Sequence, residues 1–349
     1  MPRHPIVSLL VLSLLLSGAC ASGGGLPRAA VAHNHAGAEL LAHGRLDDAE
    51  ARFRLALEYQ PRFSEAHANL GLVAMRRGQL DDAERELRAA IRLNEDFALA
   101  YGNLGVVLEA KGDLQQAQDA YEHALSIDPG LVGPRRNLAV LLLRRDRFVE
   151  ARAHLLRLVQ LLPADGMANG ALAYAELRLS RPDAALERVA PILERDPEDA
   201  VARFVRGVVR ANQGDLVGAE ADLEQARRDE LVGRQARLRL AALASVRGDH
   251  ERAGALLTRL LRERRDDPAA QLVAAAEALS TEDPAAARQH SERALHSQPE
   301  LSEAQLLLAR ACVALHDAPC ARHALAALDG APARLRPAAE ALRLRLADL

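Results

Sequence analysis

A 34-residue period runs through most of this 349-residue chain. Residues 30–335 divide into nine consecutive blocks of 34 with no insertion. The eighth residue of each block is always glycine or alanine. The twentieth residue is alanine in every block: Ala49, Ala83, Ala117, Ala151, Ala185, Ala219, Ala253, Ala287 and Ala321. Such a period indicates one supersecondary unit copied in tandem, because a unit of this size buries its apolar face only by stacking on its neighbours.

Each block predicts two amphipathic helices, as in residues 64–77 and 80–93 of the second block, where apolar residues recur at i, i+3, i+4 and i+7. Small residues at positions 8 and 20 allow the paired helices to approach closely. Glycines such as Gly78 and Gly112 lie between the two helices, where a helix ends and the chain reverses. Pro191 falls inside a predicted second helix and is expected to kink it or open a turn.

The register of these blocks resembles the tetratricopeptide repeat. That family has a large residue at position 4, Leu-Gly at 7 and 8, Ala at 20, a large residue at 24 and Pro at 32. The third block matches best: Tyr101, Leu104, Gly105, Leu108, Ala117, Tyr121, Ala124 and Pro129. Position 4 departs from the pattern where it holds His33, His67, Arg135, Asn169 or Arg203, and position 32 loses Pro at Glu95, Leu231, Arg265 and Ala333.

The resemblance implies an all-α, right-handed superhelix of about nine helix-turn-helix repeats in residues 30–335. A stack of this kind needs a terminal cap, and residues 336–349 supply a capping helix that begins after Pro337. In that helix the inward residues are expected to be Ala338, Leu342, Leu346 and Leu349. Glu340, Arg343 and Asp348 are expected to face outward.

Residues 1–19 predict a signal peptide, with Arg3 before an apolar segment, residues 6–16, that is too short to span a membrane. Residues 17–20, Ser-Gly-Ala-Cys, resemble the lipobox of bacterial lipoproteins, although Ser17 stands where that family prefers Leu. The resemblance implies that Cys20 carries a lipid. The Gly/Ser-rich residues 20–29 then form a flexible tether. Two alternatives stay open: cleavage at the A-x-A site around Cys20, which releases a soluble protein, and a retained anchor.

The predicted address is the bacterial cell envelope. By resemblance to Gram-negative lipoproteins, Ala21 after the cysteine implies an outer-membrane lipoprotein facing the periplasm; a soluble periplasmic or secreted protein is the alternative. The formal net charge of −3 predicts no nucleic-acid partner and no electrostatic hold on anionic lipid, so membrane contact would come from the lipid anchor only.

No catalytic motif is recognisable, and we expect no enzyme, no cofactor and no metal site. His33 and His35 point to different faces of a helix, unlike an i, i+4 ligand pair. We interpret Asp47-Asp48 and Asp81-Asp82 as acidic residues at the N-termini of second helices, where they interact favourably with the helix dipole.

Cys312 and Cys320 lie on either side of the turn in the ninth block, where antiparallel helices bring them within bridging range. An oxidising compartment would allow a disulfide, and the alternative is a pair of buried thiols.

First-helix positions 2, 5, 6, 9, 12 and 13 line the concave groove in tetratricopeptide superhelices. Position 6 holds Asn69, Asn103 and Asn137, which resembles the asparagine ladder of peptide-binding members; asparagine is also simply common there. The later groove is expected to be apolar, around Tyr174 and Phe204.

The sequence therefore predicts a non-catalytic scaffold that binds a protein or peptide. By analogy it would assist pilus or secretin assembly. The alternatives are a soluble periplasmic adaptor or chaperone, and a subunit that recruits an envelope enzyme.

Overall fold

The computed structural model describes residues 26–347, and every regular element in that range is helical. The predicted signal peptide, Cys20 and residues 20–25 of the tether lie outside the described residues, as do residues 348–349. The chain divides between Ser180 and Arg181 into two compact units. No helix between residues 26 and 347 combines the length and the apolar character that crossing a membrane requires.

The first unit contains the helices of repeats one to four and the first helix of repeat five. They are α1 (Arg28–Ala42), α2 (Leu46–Tyr59), α3 (Ser64–Arg76), α4 (Leu80–Leu93), α5 (Ala98–Lys111), α6 (Leu114–Ile127), α7 (Val132–Arg144), α8 (Phe148–Leu161) and α9 (Gly166–Arg178). Helices α3, α5 and α7 each pack on the second helix of their own repeat and on the second helix of the repeat before it, while α1 packs on α2 and α9 packs on α8.

The second unit continues the same alternation. It contains α10 (Pro182–Arg195), α11 (Ala200–Asn212), α12 (Leu216–Ala226), α13 (Gly233–Val246), α14 (His250–Glu263), α15 (Pro268–Ser280), α16 (Pro284–Ser297), α17 (Ser302–Ala314), α18 (Ala318–Ala326), a 3-10 turn (Ala333–Leu335) and α19 (Arg336–Ala347). The predicted all-α tandem repeat is therefore confirmed. Helix α10 runs through Pro191 to Arg195, so no turn opens there.

Small residues at positions 8 and 20 set the distance between the paired helices. Ala117 is fully buried, and a Cβ placed on Gly105 would lie only 2.4 Å from the Tyr121 ring. Tyr121 is itself fully buried, so the ring has no room to retreat. The close helix approach predicted from the repeat pattern is present in this pair.

The turn between paired helices has a left-handed residue at position 15 of every repeat. Five of these residues are glycines, with φ between 74° and 88°: Gly44, Gly78, Gly112, Gly214 and Gly248. The other four have side chains and φ between 58° and 60°: Asp146, Ser180, Glu282 and His316. The sequence pattern missed these four turns, because only glycine marks a left-handed position.

The polar residues at position 4, which depart from the family pattern, have a structural role in five repeats. Each directs a side-chain nitrogen at the backbone carbonyl of position 32 in the preceding repeat. The pairs are His67–Pro61 (3.4 Å), Arg135–Pro129 (2.5 Å), Asn169–Pro163 (3.0 Å), Arg203–Pro197 (2.5 Å) and Gln271–Arg265 (2.7 Å). A hydrogen bond to a carbonyl beyond the end of the second helix thus replaces the packing of a large aromatic residue.

The capping helix α19 packs on α17 and α18, but one of its predicted inward residues is wrong. Ala338 is exposed, and the next residue, Ala339, is 3% exposed and joins the core with Leu342. The chain enters α19 through the 3-10 turn, and the core-facing side of the helix starts one residue later than expected.

Candidate functional site

The first helices of the first unit follow one another in direct contact, α1 with α3, α3 with α5, α5 with α7 and α7 with α9. Among the described residues, the second helices α2, α4, α6 and α8 form no comparable series of contacts. First helices therefore converge on one side of this unit and second helices spread apart on the other. We call the converging side, formed by positions 2, 5, 6, 9, 12 and 13 of the first helices, the inner face.

The predicted asparagine row lies on the inner face, and its three members have different partners. The Asn69 Nδ2 atom donates to Asn34 Oδ1 at 3.0 Å, which joins α3 to α1. Asn34 extends the row into the first repeat, but at position 5, so a search at position 6 missed it. An amide pair between neighbouring helices fixes their register as well as offering further lone pairs.

Asn137 belongs to a polar chain that reaches into the core. Its side chain hydrogen-bonds to the Tyr121 hydroxyl, which donates to Glu109 Oε2 at 3.1 Å. Arg144 Nη1 donates to the other carboxylate oxygen of Glu109, also at 3.1 Å. Burial, followed by the Glu109 charge, raises the pKa of Tyr121 well above its usual range, so the hydroxyl stays a donor. The Asn137 side chain therefore serves packing as well as the surface.

Asn103 is the member of the row that is free to bind. It is half-buried on α5, and its amide has no hydrogen-bond partner between residues 26 and 347. The position 9 side chains of α3, α5 and α7 are Leu72, Val106 and Val140, which are also half-buried. The inner face thus combines an uncommitted amide with apolar side chains that are partly open to solvent.

Tyr174 and Phe204 do not line an open groove, which corrects the prediction for both. Each is 2% exposed, and they lie in different units. The Tyr174 ring meets Phe148 edge-on at 6.0 Å between centroids, and its hydroxyl accepts a hydrogen bond from Arg178 Nη1 at 3.0 Å. The Arg178 guanidinium lies over Phe148 at 4.2 Å. An aromatic ring at position 9 is large enough to turn into the helix interface, where it gains more burial than on the surface.

Charged side chains at the repeat junctions are paired. Arg77 binds Asp47 and Glu50 of the preceding repeat, and Lys111 Nζ lies 2.7 Å from both Asp81 and Glu84. The second-helix aspartates interpreted as helix-dipole charges therefore also link neighbouring repeats. This basic residue at position 14 and the acids at 18 and 21 form a register that the sequence alone did not reveal.

His33 and His35 have separate surroundings, as their spacing predicted. The His33 ring stacks on Tyr59 at 5.6 Å, while His35 Nδ1 lies 3.6 Å from Glu39. In the part of the chain that the structure describes, no three His, Cys, Asp or Glu side chains are arranged to hold a metal ion.

Cys312 and Cys320 form a disulfide in the structure, with their Cα atoms 5.8 Å apart. The bond joins α17 to the first turn of α18. Cys312 is fully buried in the core that α17, α18 and α19 share.

Comparison with known families identifies the repeat. Two sequence models, each described as tetratricopeptide repeat, match the chain: one at residues 36–84, 69–132 and 171–230, the other at residues 108–173. Together the matches run without a break over residues 36–230, more than half of the chain. Comparison with curated protein sequences finds no match.

Several solved structures are similar to parts of this chain. YrrB, described as a TPR protein with an unusual peptide-binding site, is 25% identical, with 50% of this chain and 90% of YrrB covered and a TM-score of 0.46. PilF of Pseudomonas aeruginosa is 22% identical, with 60% of this chain and 95% of PilF covered and a TM-score of 0.45. A chain of the APC/C hetero-tetramer Cut9–Hcn1 is 16% identical, with 80% of this chain and 55% of that chain covered and a TM-score of 0.57. At this identity the match supports the fold alone, over four fifths of this chain.

Proposed function

This chain belongs to the tetratricopeptide-repeat family, and on that premise we propose that it is a non-catalytic scaffold that binds an extended segment of another protein on the inner face of its first unit. The observation that carries the proposal is the uncommitted amide of Asn103 within a row whose other amides, Asn34, Asn69 and Asn137, are already paired. A half-buried amide without a partner is a ready donor and acceptor for a peptide backbone.

The neighbouring side chains supply the rest of the binding energy. Leu72, Val106 and Val140 offer apolar area on three consecutive first helices, which suits alternate side chains of an extended segment. The nearby charges of Arg136 and Asp165 pair with each other, so neither of them offers an unpaired charge to the ligand. Backbone pairing together with apolar contacts favours a ligand recognised by shape more than by charge.

The place of action that we propose is the periplasmic side of a bacterial outer membrane, with the chain held by a lipid on Cys20. The lipobox-like residues 17–20 and the tether after them support this address. The Cys312–Cys320 disulfide suits it as well, because disulfides persist in oxidising compartments. In that setting the partner is an envelope protein, with pilus or secretin assembly as the nearest analogy.

The binding surface is tested by replacing Asn103 with alanine. Loss of one amide–backbone interaction should cost about 1–3 kcal/mol, or roughly five- to 150-fold in partner affinity. Circular dichroism should show unchanged helicity, since Asn103 has no partner in the described chain. Asn212→Ala, on the exposed end of α11, is the matched control. Undiminished capture of the partner from membrane extract by Asn103→Ala would remove this amide from the mechanism.

Asn69 and Asn137 make less clean tests. Asn69→Ala breaks the bond to Asn34, and Asn137→Ala removes one of the two partners of the buried Tyr121 hydroxyl. The triple Asn69, Asn103 and Asn137→Ala variant should therefore lose both partner capture and thermal stability.

Lipidation is tested separately with radiolabelled palmitate. The wild-type chain should incorporate the label and Cys20→Ser should not. Equal labelling of the two, or a mature chain that begins at Ser22, would rule out the anchor.

A further inference from the structure

The burial of the residue at position 3 of each repeat distinguishes the first repeat from the later ones. In repeats two to nine this residue is buried: Ala66, Ala100, Pro134, Ala168, Ala202, Ala236, Ala270 and Ala304. In the first repeat the equivalent residue, Ala32, is exposed. The surface of α1 that stacks on a preceding repeat in every later copy is therefore open to solvent in the described chain.

The open surface, which we call the end face, is a shallow apolar concavity. It is lined by Leu26, Arg28, Val31, Ala32, His35 and Ala36. Val31 is 45% exposed, a high value for a large aliphatic side chain. The opposite end of the chain differs, because α19 covers the last repeat there. An apolar surface that is covered in every later repeat and open in the first is a site for one more helix.

The later repeats show what fills a surface of this kind. Ala66, the equivalent of Ala32, packs with Ala56 near the end of α2 and with Phe63, the residue directly before α3. Position 27, which Ala56 occupies, is apolar and buried in all nine repeats: Ala56, Ala90, Ala124, Leu158, Ile192, Ala226, Leu260, Ala294 and Leu328. The complementary element is therefore an amphipathic helix that presents alanine or leucine at three- and four-residue spacing.

The charges around the end face determine which charged side chains are favourable on the flank of that helix. Helix α1 has no acidic residue in its first turn, and Glu39 is its first acid. Arg28 and His35 border the apolar surface. Acidic side chains on the flank of an incoming helix would face Arg28 and the positive end of the α1 dipole.

We propose that the end face docks an acidic amphipathic helix of a partner protein, as a second binding surface that adjoins the inner face at Val31 and His35. A second copy of this chain does not fit, since the second helices of its described residues already pack against first helices of their own chain. Residues 6–16 of the same chain do not fit either, because they contain no acidic residue that could face Arg28.

The probe is a synthetic peptide of residues 80–97, which contains α4 and ends at Phe97. This peptide has six acidic and three basic side chains and carries the position 27 residue Ala90. Fluorescence anisotropy should show that it binds the full-length chain. Ala32→Arg should weaken binding at least about tenfold, because the guanidinium would occupy the concavity. Ala153→Arg, on the exposed side of α8, and the wild type should bind alike.

A peptide in which Ala90 is replaced by Arg should lose affinity to the same degree as Ala32→Arg. Equal binding of the peptide to wild type and Ala32→Arg, or no binding at all, would overturn the proposal. An affinity that is lower for the full-length chain than for the chain that begins at Cys20 would show that residues 1–19 are the occupant instead. Dimers in light scattering that Ala32→Arg abolishes would assign the face to a second copy. Asn103→Ala should leave peptide binding unchanged, which separates this test from that of the inner face.

Discussion

At the fifteenth position of each repeat, backbone conformation constrains the residue more strongly than packing does. Glycine adopts the left-handed conformation without steric cost, whereas Asp146, Ser180, Glu282 and His316 hold it against the repulsion of their own Cβ atoms. These turns keep the same geometry because the two helices on either side are fixed by burial. Packing of the neighbouring helices therefore imposes the left-handed conformation on these four residues, at a local cost in conformational free energy.

Replacing Glu282 with glycine should therefore stabilise the second unit. An L-residue in the left-handed conformation costs roughly 1–2 kcal/mol, and glycine removes this cost. The greater freedom of glycine in the unfolded chain lowers the free energy of unfolding by roughly 0.5–1 kcal/mol and so offsets part of the gain. Chemical denaturation should show a net increase of about 0.5–1 kcal/mol in the free energy of unfolding. Glu282→Ala, which keeps the Cβ, should change little. A loss of stability in Glu282→Gly would mean that the carboxylate has a role that outweighs the strain.

Two other glycines should respond in opposite directions to alanine. Gly105→Ala places a Cβ 2.4 Å from the buried Tyr121 ring and should destabilise by about 1–3 kcal/mol. Gly254→Ala, in the interior of α14 with no atom within 4 Å of its Cβ, should stabilise by about 1 kcal/mol. Thermal melts of the two variants should move apart. Shifts of the same sign would contradict the packing described for position 8.

At the scale of elements, the sequence predicted helices better than the contacts between them. Helices α3 and α4 end within one residue of the predicted limits, because apolar spacing and turn glycines are local signals. The hydrogen bonds from position 4 to the position 32 carbonyl of the preceding repeat were not predictable from the sequence. The five side chains that make them differ in type, and the bond depends on how neighbouring repeats pack. Tyr174 turned inward for the same reason: its orientation depends on Phe148 of the neighbouring helix α8 and on Arg178 one turn further along α9.

The contact between α7 and α8 should make stability depend on pH. Burial, and then the charge of Arg135, lowers the pKa of His154, while Glu122 and Glu150 oppose the shift. A lowered pKa in the folded state means that the unfolded chain binds the proton more readily, so stability is present above about pH 6.5 and is lost as pH falls below it. His154→Leu should flatten the loss of unfolding free energy between about pH 6.5 and 5.

The matched control is His296→Leu, at an exposed site near the end of α16. It should leave the pH profile as it is in the wild type. A His154→Leu profile as steep as that of the wild type would show that other groups cause the acid sensitivity.

At the scale of the whole molecule, the repeat accounts for the fold, and departures from the repeat point to function. Asn103 is distinguished by an amide without a partner among residues 26–347, and Ala32 by exposure where its eight equivalents are buried. Position in the repeat predicted the asparagine row. It did not predict which amide is free, because Asn34 and Tyr121 come from other positions and reach their partners through the stacking of helices.

The central claim, that the inner face of the first unit binds the partner protein, is tested most directly by photo-crosslinking in intact cells. A photoreactive phenylalanine analogue at Val106, on the inner face of α5, is compared with the same analogue at Ala153, on the exposed side of α8. The account predicts a discrete crosslinked protein from position 106 that is lost in the Asn103→Ala background, and none from position 153. A crosslink from position 153 alone, or equal crosslinking from both positions with and without Asn103, would contradict it.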